Sequence, residues 1–166
     1  IYYQGNVENT RYINCDFTDN FVSGKGGAIY ISGNSIGNTY VNTTFRDNKV
    51  ESIKHSGGGA IYVNGESTND EYDNVTFEGN TVTGFYVYNT QNPYIYAGGA
   101  LYFNGKVDNL NFKRTDFISN IVKSSGALNQ YYYGGAIYYG AQARNVVVNY
   151  TNCNFTNNEA KSIGGA

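Results

Sequence analysis

The sequence predicts an all-β protein: a right-handed parallel β-helix of about five coils, with three short strands in each. Three observations carry that prediction. The phrase GGA[IL]Y recurs at Gly26, Gly58, Gly98 and Gly134, with a bare GGA at Gly164. A second phrase, F-x-x-N, recurs at Phe17–Asn20, Phe45–Asn48, Phe77–Asn80, Phe117–Asn120 and Phe155–Asn158. From the first Gly of one phrase to the next Phe the distance is 19, 19, 19 and 21 residues, whereas Phe to the following GGA varies as 9, 13, 21, 17 and 9. One half of the repeat is thus nearly rigid and the length variation gathers at a single seam. A stack of structural units that admits insertions on one side produces this pattern.

The GGA strand comes first in each coil. Ile29/Ile31, Ile61/Val63, Leu101/Phe103 and Ile137/Tyr139 alternate with Tyr at the intervening position, the period-2 pattern of a strand with one buried face. The Gly pair before it marks a tight corner, where a Cβ would strike the next coil or the backbone needs a forbidden φ. A turn follows at Gly5, Gly33, Gly65 and Gly105, shifted to Gly140 in the last coil. The second strand ends at the repeated Phe. Five residues before it stand Tyr12, Tyr40, Tyr72, Phe112 and Tyr150; two before it stand Cys15, Thr43, Val75, Thr115 and Cys153. The third strand, N-x-V, carries Val22, Val50, Val82, Val122 and Ala160. No segment holds a helical period, and β-branched and aromatic residues dominate. The Asn of F-x-x-N (Asn20, Asn48, Asn80, Asn120 and Asn158) is expected to form an internal amide ladder, each side chain donating to the one stacked on it. The alternative is a row of ligand-binding amides.

Composition narrows the function. The chain has 166 residues, with 21 Gly, 18 Tyr, 1 Pro, no Met and no Trp, and 25 Asn by count. Charged residues are 14% and the formal net charge is −2, so no basic field recruits nucleic acid. No apolar run reaches the roughly 18 residues a membrane span needs. Disorder is excluded because the apolar residues keep register.

The seam insertions hold the most suggestive side chains. Residues 84–97 bring Tyr86, Tyr88, Tyr94 and Tyr96; the next coil brings Tyr131, Tyr132 and Tyr133. Tyrosine gives a large rigid contact area with a polar tip. These loops either protrude as a ligand or partner surface or fold down over a β-face and cover it. A second candidate is the ladder Tyr30, Tyr62, Tyr102 and Tyr138, begun by Tyr2. With the Ile face inward these rings point outward, to stack sugar rings or another filament, or merely one another. Cys15 and Cys153 lie four coils apart, too far for a disulfide, and are expected to be free and buried. His55, the only histidine, has no metal-ligand spacing around it and reads as a loop residue. Sequons at Asn42, Asn74, Asn149 and Asn154 make glycosylation possible in a secreted protein. The acids scatter between coils: Asp16 and Asp116 share a column three coils apart, Asp19 and Asp47 are neighbours, and Glu66, Asp70, Glu71 and Asp73 crowd one loop. Hydrolysis of a polysaccharide needs paired acids on adjacent coils, so no catalytic, metal or cofactor-binding residue is assigned.

GGA[IL]Y paired with F-x-x-N resembles the repeats of the chlamydial polymorphic outer-membrane proteins, and is similar to those of adhesin-like surface proteins of methanogenic archaea and some protists. The resemblance covers the whole chain. It implies an extracellular or cell-surface protein of adhesin-like or fibre-forming kind, without shared catalytic residues. Coils counted from IY to the next GGA run 1–28, 29–60, 61–100, 101–136 and 137–166, one domain whose two ends fall at equivalent points of the cycle. The expectation is therefore either a segment of a longer solenoid or a subunit that stacks coil on coil with copies of itself. Glycans or another cell surface are the other expected partners. A β-helix enzyme that binds or degrades polysaccharide is the alternative.

Overall fold

Strand pairing in the computed structural model, which describes residues 1–85, 93–126, 130–144 and 146–166, is parallel throughout. The chain is a parallel β-solenoid. Its register is the one read from the repeats: Phe17, Phe45, Phe77, Phe117 and Phe155 lie opposite one another on successive rungs, and the Tyr12, Val22 and Tyr2 columns do likewise. Among the described residues no helix is long and apolar enough to cross a membrane.

The predicted strands resolve into several short sheets. The GGA strand gives one of five strands: Tyr2–Tyr3, Ile29–Ile31, Ile61–Val63, Leu101–Phe103 and Ile137–Tyr139. The stretch ending at Phe divides at a corner into a Tyr sheet, containing Glu71–Asp73, and a Phe sheet, containing Thr76–Glu78. The N-x-V stretch gives a Val sheet, containing Thr81–Gly84. Two smaller sheets complete the coil. One contains Ser67–Thr68; the other, at the seam, is built from Ser56–Gly57, Ile95–Ala97 and Tyr131–Tyr133.

The corners explain much of the Asn content. Asn14, Asn42, Asn74, Arg114 and Asn152 all have φ near +50° at the corner between the Tyr and Phe sheets. Asp19, Asp47, Gly79, Ser119 and Asn157 hold the same conformation at the next corner. Only Gly, Asn and Asp enter this region cheaply, because a short polar side chain offsets the clash by local hydrogen bonding. The Asp19/Asp47 column is therefore a backbone device.

Stacking fixes the core. Strand spacing in a parallel sheet is about 4.8 Å, close to the contact distance of two aromatic rings. Phe45 and Phe77 stack with centroids 5.0 Å apart at 9°, and Tyr40 and Tyr72 at 4.6 Å and 1°. A one-residue slip would turn every ring to the opposite face. The Asn ladder runs beside them: Asn20, Asn48, Asn80 and Asn120 each donate through Nδ2 to Oδ1 of the next, at 2.8–2.9 Å, ending at Asn158. The same Oδ1 also accepts the backbone N–H of the preceding Asn. The inner members are fully buried.

The coil encloses two cores. The larger contains the Ile, Tyr and Phe columns; a smaller one packs Val50, Val82 and Val122 against Tyr96 and Tyr132 of the seam sheet. The Gly pair pinches the neck between them. Gly58 has φ +62°, and a Cβ on Gly59 would lie 2.0 Å from the Gly99 carbonyl oxygen and 2.8 Å from the Thr81 nitrogen, where the Val sheet starts. One glycine is needed for its conformation and the other for close approach. The coil also encloses a buried acid: Asp70, beside the strand Ser67–Thr68, accepts from the Asn38 N–H at 2.8 Å and from the Ser67 hydroxyl at 2.6 Å. Burial raises its pKa above the usual carboxylate value, and the Ser67 and other hydrogen bonds oppose the shift.

Candidate functional site

The described strands of the seam insertions, Ile95–Ala97 and Tyr131–Tyr133, lie over a neighbouring face, and that corrects two expectations. In the ladder of Tyr30, Tyr62, Tyr102 and Tyr138, alternation does turn the rings away from the Ile core. The seam sheet then covers them: Tyr62 is 3% and Tyr102 8% exposed, packed against Ala97, with Tyr30, Tyr138, Ile95 and Tyr133 at the edge of the cluster. Tyr30 and Tyr138 are half-buried, and Tyr2 is open. Nor are Tyr96 and Tyr132 contact residues. They stack at 5.5 Å inside the second core, 0% and 2% exposed, because their register puts them on the inner face of the seam sheet over Gly84. Burial pushes the Tyr96 phenol up to about 12. Tyr131 is 46% exposed, and Tyr133 and Tyr94 are half-buried. Tyr86 and Tyr88 lie outside the described residues.

Ring faces in the ladder are spent partly on one another and partly on the seam sheet. Tyr62 and Tyr102 stack at 4.4 Å and 16°, and Tyr133 stacks on Tyr138 at 5.7 Å and 17°. Tyr30 meets Tyr62 edge-on at 81° and Tyr138 is tilted at 55° to Tyr102, so the half-buried Tyr30 and Tyr138 are what the ladder offers outward. Along its exposed flank runs a groove of about 290 Å³, lined by Lys25, His55, Tyr62, Tyr102, Tyr138 and the amides of Asn104 and Gln142. Lys25 reaches in from the loop before a Gly pair and sets Nζ 4.7 Å from the Tyr62 ring centroid, a cation–π contact. Burial lowers its pKa. His55 sits on the seam loop; its Nδ1 accepts the Ile95 N–H at 2.9 Å, and its ring meets Tyr94 edge-on at 5.0 Å. That bond requires a neutral ring with the proton on Nε2. Burial, then the Lys25 charge, lowers the His55 pKa. His55 thus lies in a loop, as expected, yet helps to line the groove.

The remaining candidates are dispersed. Asn42, Asn74, Asn149 and Asn154 are exposed, and each already donates through Nδ2 to an adjacent coil, to Asn14, Asn42, Asn111 and Asp116 respectively. Cys15 and Cys153 are free, as expected, but half-buried rather than buried. Two of the four acids crowded at 66–73 find basic partners on the next coil, which the sequence alone did not place: Glu71 pairs with Lys113 at 2.7 Å and Asp73 with Arg114. Among the described residues no group of three or more His, Cys, Asp or Glu side chains could hold a metal ion. Sequence reasoning missed the groove because Lys25 and His55 precede successive GGA phrases at unequal distances, inside the seam, where columns cannot be aligned. A weak signal existed, since both lie within three residues of a Gly pair whose strand carries a ladder Tyr.

Comparison with known proteins agrees with the motifs. The family model of the Chlamydia polymorphic membrane protein repeat matches residues 14–32 and 42–64. Each segment holds an F-x-x-N phrase and the GGA[IL]Y that follows it. No curated protein and no solved structure matches the chain. The matched repeat points to a surface or outer-membrane protein. The chain is a parallel β-solenoid, two segments of which are similar to the Chlamydia polymorphic membrane protein repeat.

Proposed function

We propose that this solenoid is a non-enzymatic, adhesin-like module at the cell surface, which contacts glycans or another surface along its seam flank and stacks end to end on copies of itself. One observation carries the contact role: the Tyr ladder, Lys25 and His55 form a groove on the side where insertions vary from coil to coil. Loops on a rigid scaffold are where binding residues concentrate. Several acids are engaged elsewhere, Glu71, Asp73 and Glu78 in cross-coil pairs and Asp70 in its buried site.

Stacking is supported by ladder polarity. Among the described residues, Asn158 donates Nδ2 only to the Phe117 carbonyl, at 2.8 Å, and nothing donates to Asn20 Oδ1. A further rung therefore meets a donor at one end and an acceptor at the other, beside the exposed rings of Phe155 and Phe21. More of the same solenoid would supply such a rung in register, and so would a second copy.

The test is binding of the purified chain to an array of neutral and acidic glycans, with Tyr131→Ala compared, alongside sedimentation over a range of concentrations. Glycan binding weakened by Tyr131→Ala, with mass rising with concentration, supports the reading. A silent array would overturn the contact role, and a concentration-independent monomer the stacking role.

A further inference from the structure

The groove beside the Tyr ladder has a charge and donor pattern of its own. It is lined by one lysine, one histidine, two primary amides and three tyrosines, with Ile95 and Ala141. No carboxylate is among these residues. Lys25 forms no ion pair among the described residues, and burial alone moves its pKa. It lies over the face of Tyr62, which holds the ammonium in place without neutralising it. A half-desolvated cation of this kind gains most from an anion that enters the groove, because the desolvation is already in place before binding. His55 adds an N–H donor at Nε2, since its Nδ1 is engaged by Ile95. Asn104 and Gln142 each add an amide that can both donate and accept.

Shape narrows the anion further. The volume of about 290 Å³ sits at the low end of the roughly 300–1,000 Å³ typical of ligand sites, room for one or two sugar rings. The phenol of half-buried Tyr138 and the amides of Asn104 and Gln142 line the groove and suit the vicinal hydroxyls of a saccharide. A free inorganic anion would leave those groups unused. We propose that this groove binds an anionic saccharide unit, its acidic group on Lys25 and His55 and its hydroxyls on Asn104, Gln142 and the Tyr138 phenol. The inference rests on the adhesive reading above and names the ligand class for it.

The experiment is calorimetric titration of the chain with three oligosaccharides: trigalacturonate, a chondroitin sulfate disaccharide and neutral maltotriose. Lys25→Gln removes the charge while keeping a polar side chain one atom shorter, and its thermal midpoint is checked against the parent. The carboxylated or the sulfated ligand, or both, is expected to bind, and which of them binds tells carboxylate from sulfate recognition. Affinity should fall at least fivefold in Lys25→Gln and with added salt, while maltotriose fails to compete. Equal binding of maltotriose, unchanged affinity in Lys25→Gln with an unchanged midpoint, or no binding of either acid at millimolar concentration overturns the proposal. If the glycan array is positive only for neutral glycans, the adhesive reading stands and the anionic site falls; a silent array removes both.

Discussion

Asn80 lies at the centre of the amide ladder, and its replacement by Ala tests what the ladder contributes. Its Nδ2 donates to the Phe45 carbonyl and to Asn120 Oδ1, both at 2.9 Å, while its Oδ1 accepts from Asn48 Nδ2 at 2.9 Å and from the Asn48 N–H at 3.1 Å. Asn80→Ala leaves three buried groups without that partner: the Phe45 carbonyl, the Asn48 backbone N–H and one hydrogen of Asn48 Nδ2. Asn120 Oδ1 still accepts the backbone N–H of residue 80. At about 1–3 kcal/mol for each orphaned buried group, with some relief from relaxation, the loss is about 3–5 kcal/mol. Asn20→Ala at the exposed first rung removes one Nδ2 bond, and Asn48 Oδ1 keeps the Asn20 N–H, so its cost is about 0.5–1 kcal/mol. Urea unfolding followed by far-UV circular dichroism measures both. If the two variants lose stability within about 1 kcal/mol of each other, buried amide satisfaction is not what holds the rungs together.

Two further substitutions probe the neck and the buried acid. Gly59→Ala puts a Cβ against backbone atoms of two neighbouring strands and should cost at least about 3 kcal/mol, whereas Gly24→Ala, whose Cβ would meet only Val22 Cγ2 at 3.9 Å, should stay within about 0.5 kcal/mol; thermal midpoints of the pair decide it. Asp70 has a folded pKa raised by burial, so the folded state holds its proton more tightly than the unfolded chain. Its contribution is fully present below the unfolded value and is lost as pH rises through the folded pKa. Asp70→Asn keeps an acceptor for the Asn38 N–H and can donate to the Ser67 hydroxyl, so it should flatten this part of the stability–pH profile, measured by urea unfolding between pH 3 and 7. A variant that keeps the parent's slope would show that Asp70 does not titrate there.

Much of the fold was legible because a solenoid writes its contacts as columns. Phe17 to Phe155, Tyr12 to Tyr150 and Asn20 to Asn158 each sit at a fixed distance from a shared phrase, and stacking makes equal position mean physical contact. The seam was not legible for the same reason in reverse. Tyr96 and Tyr132 align only with Ser56, a column of three members whose register is set by insertions of unequal length. Alternation alone correctly turned Tyr62 and Tyr102 away from the Ile core but could not foresee a sheet lying over them. The corner residues carried a readable signal that looked like something else: Asp19 and Asp47 pass for the beginnings of an acidic pair, while Gly79 and Asn157 in the same column point to the left-handed backbone they share.

The central claim is that equivalent turns of chain lie one on another in register. Thr18 and Thr156 are exposed ends of a single column that runs through Arg46, Glu78 and Ile118. With Cys15 and Cys153 replaced by Ser, spin labels at Thr18→Cys and Thr156→Cys measure the separation of the first and last rungs by pulsed electron–electron resonance. Four steps of about 4.8 Å predict a narrow distribution centred near 19 Å, once the label arms are allowed for. A broad distribution, or one centred at more than about twice that distance, would contradict the stacked solenoid.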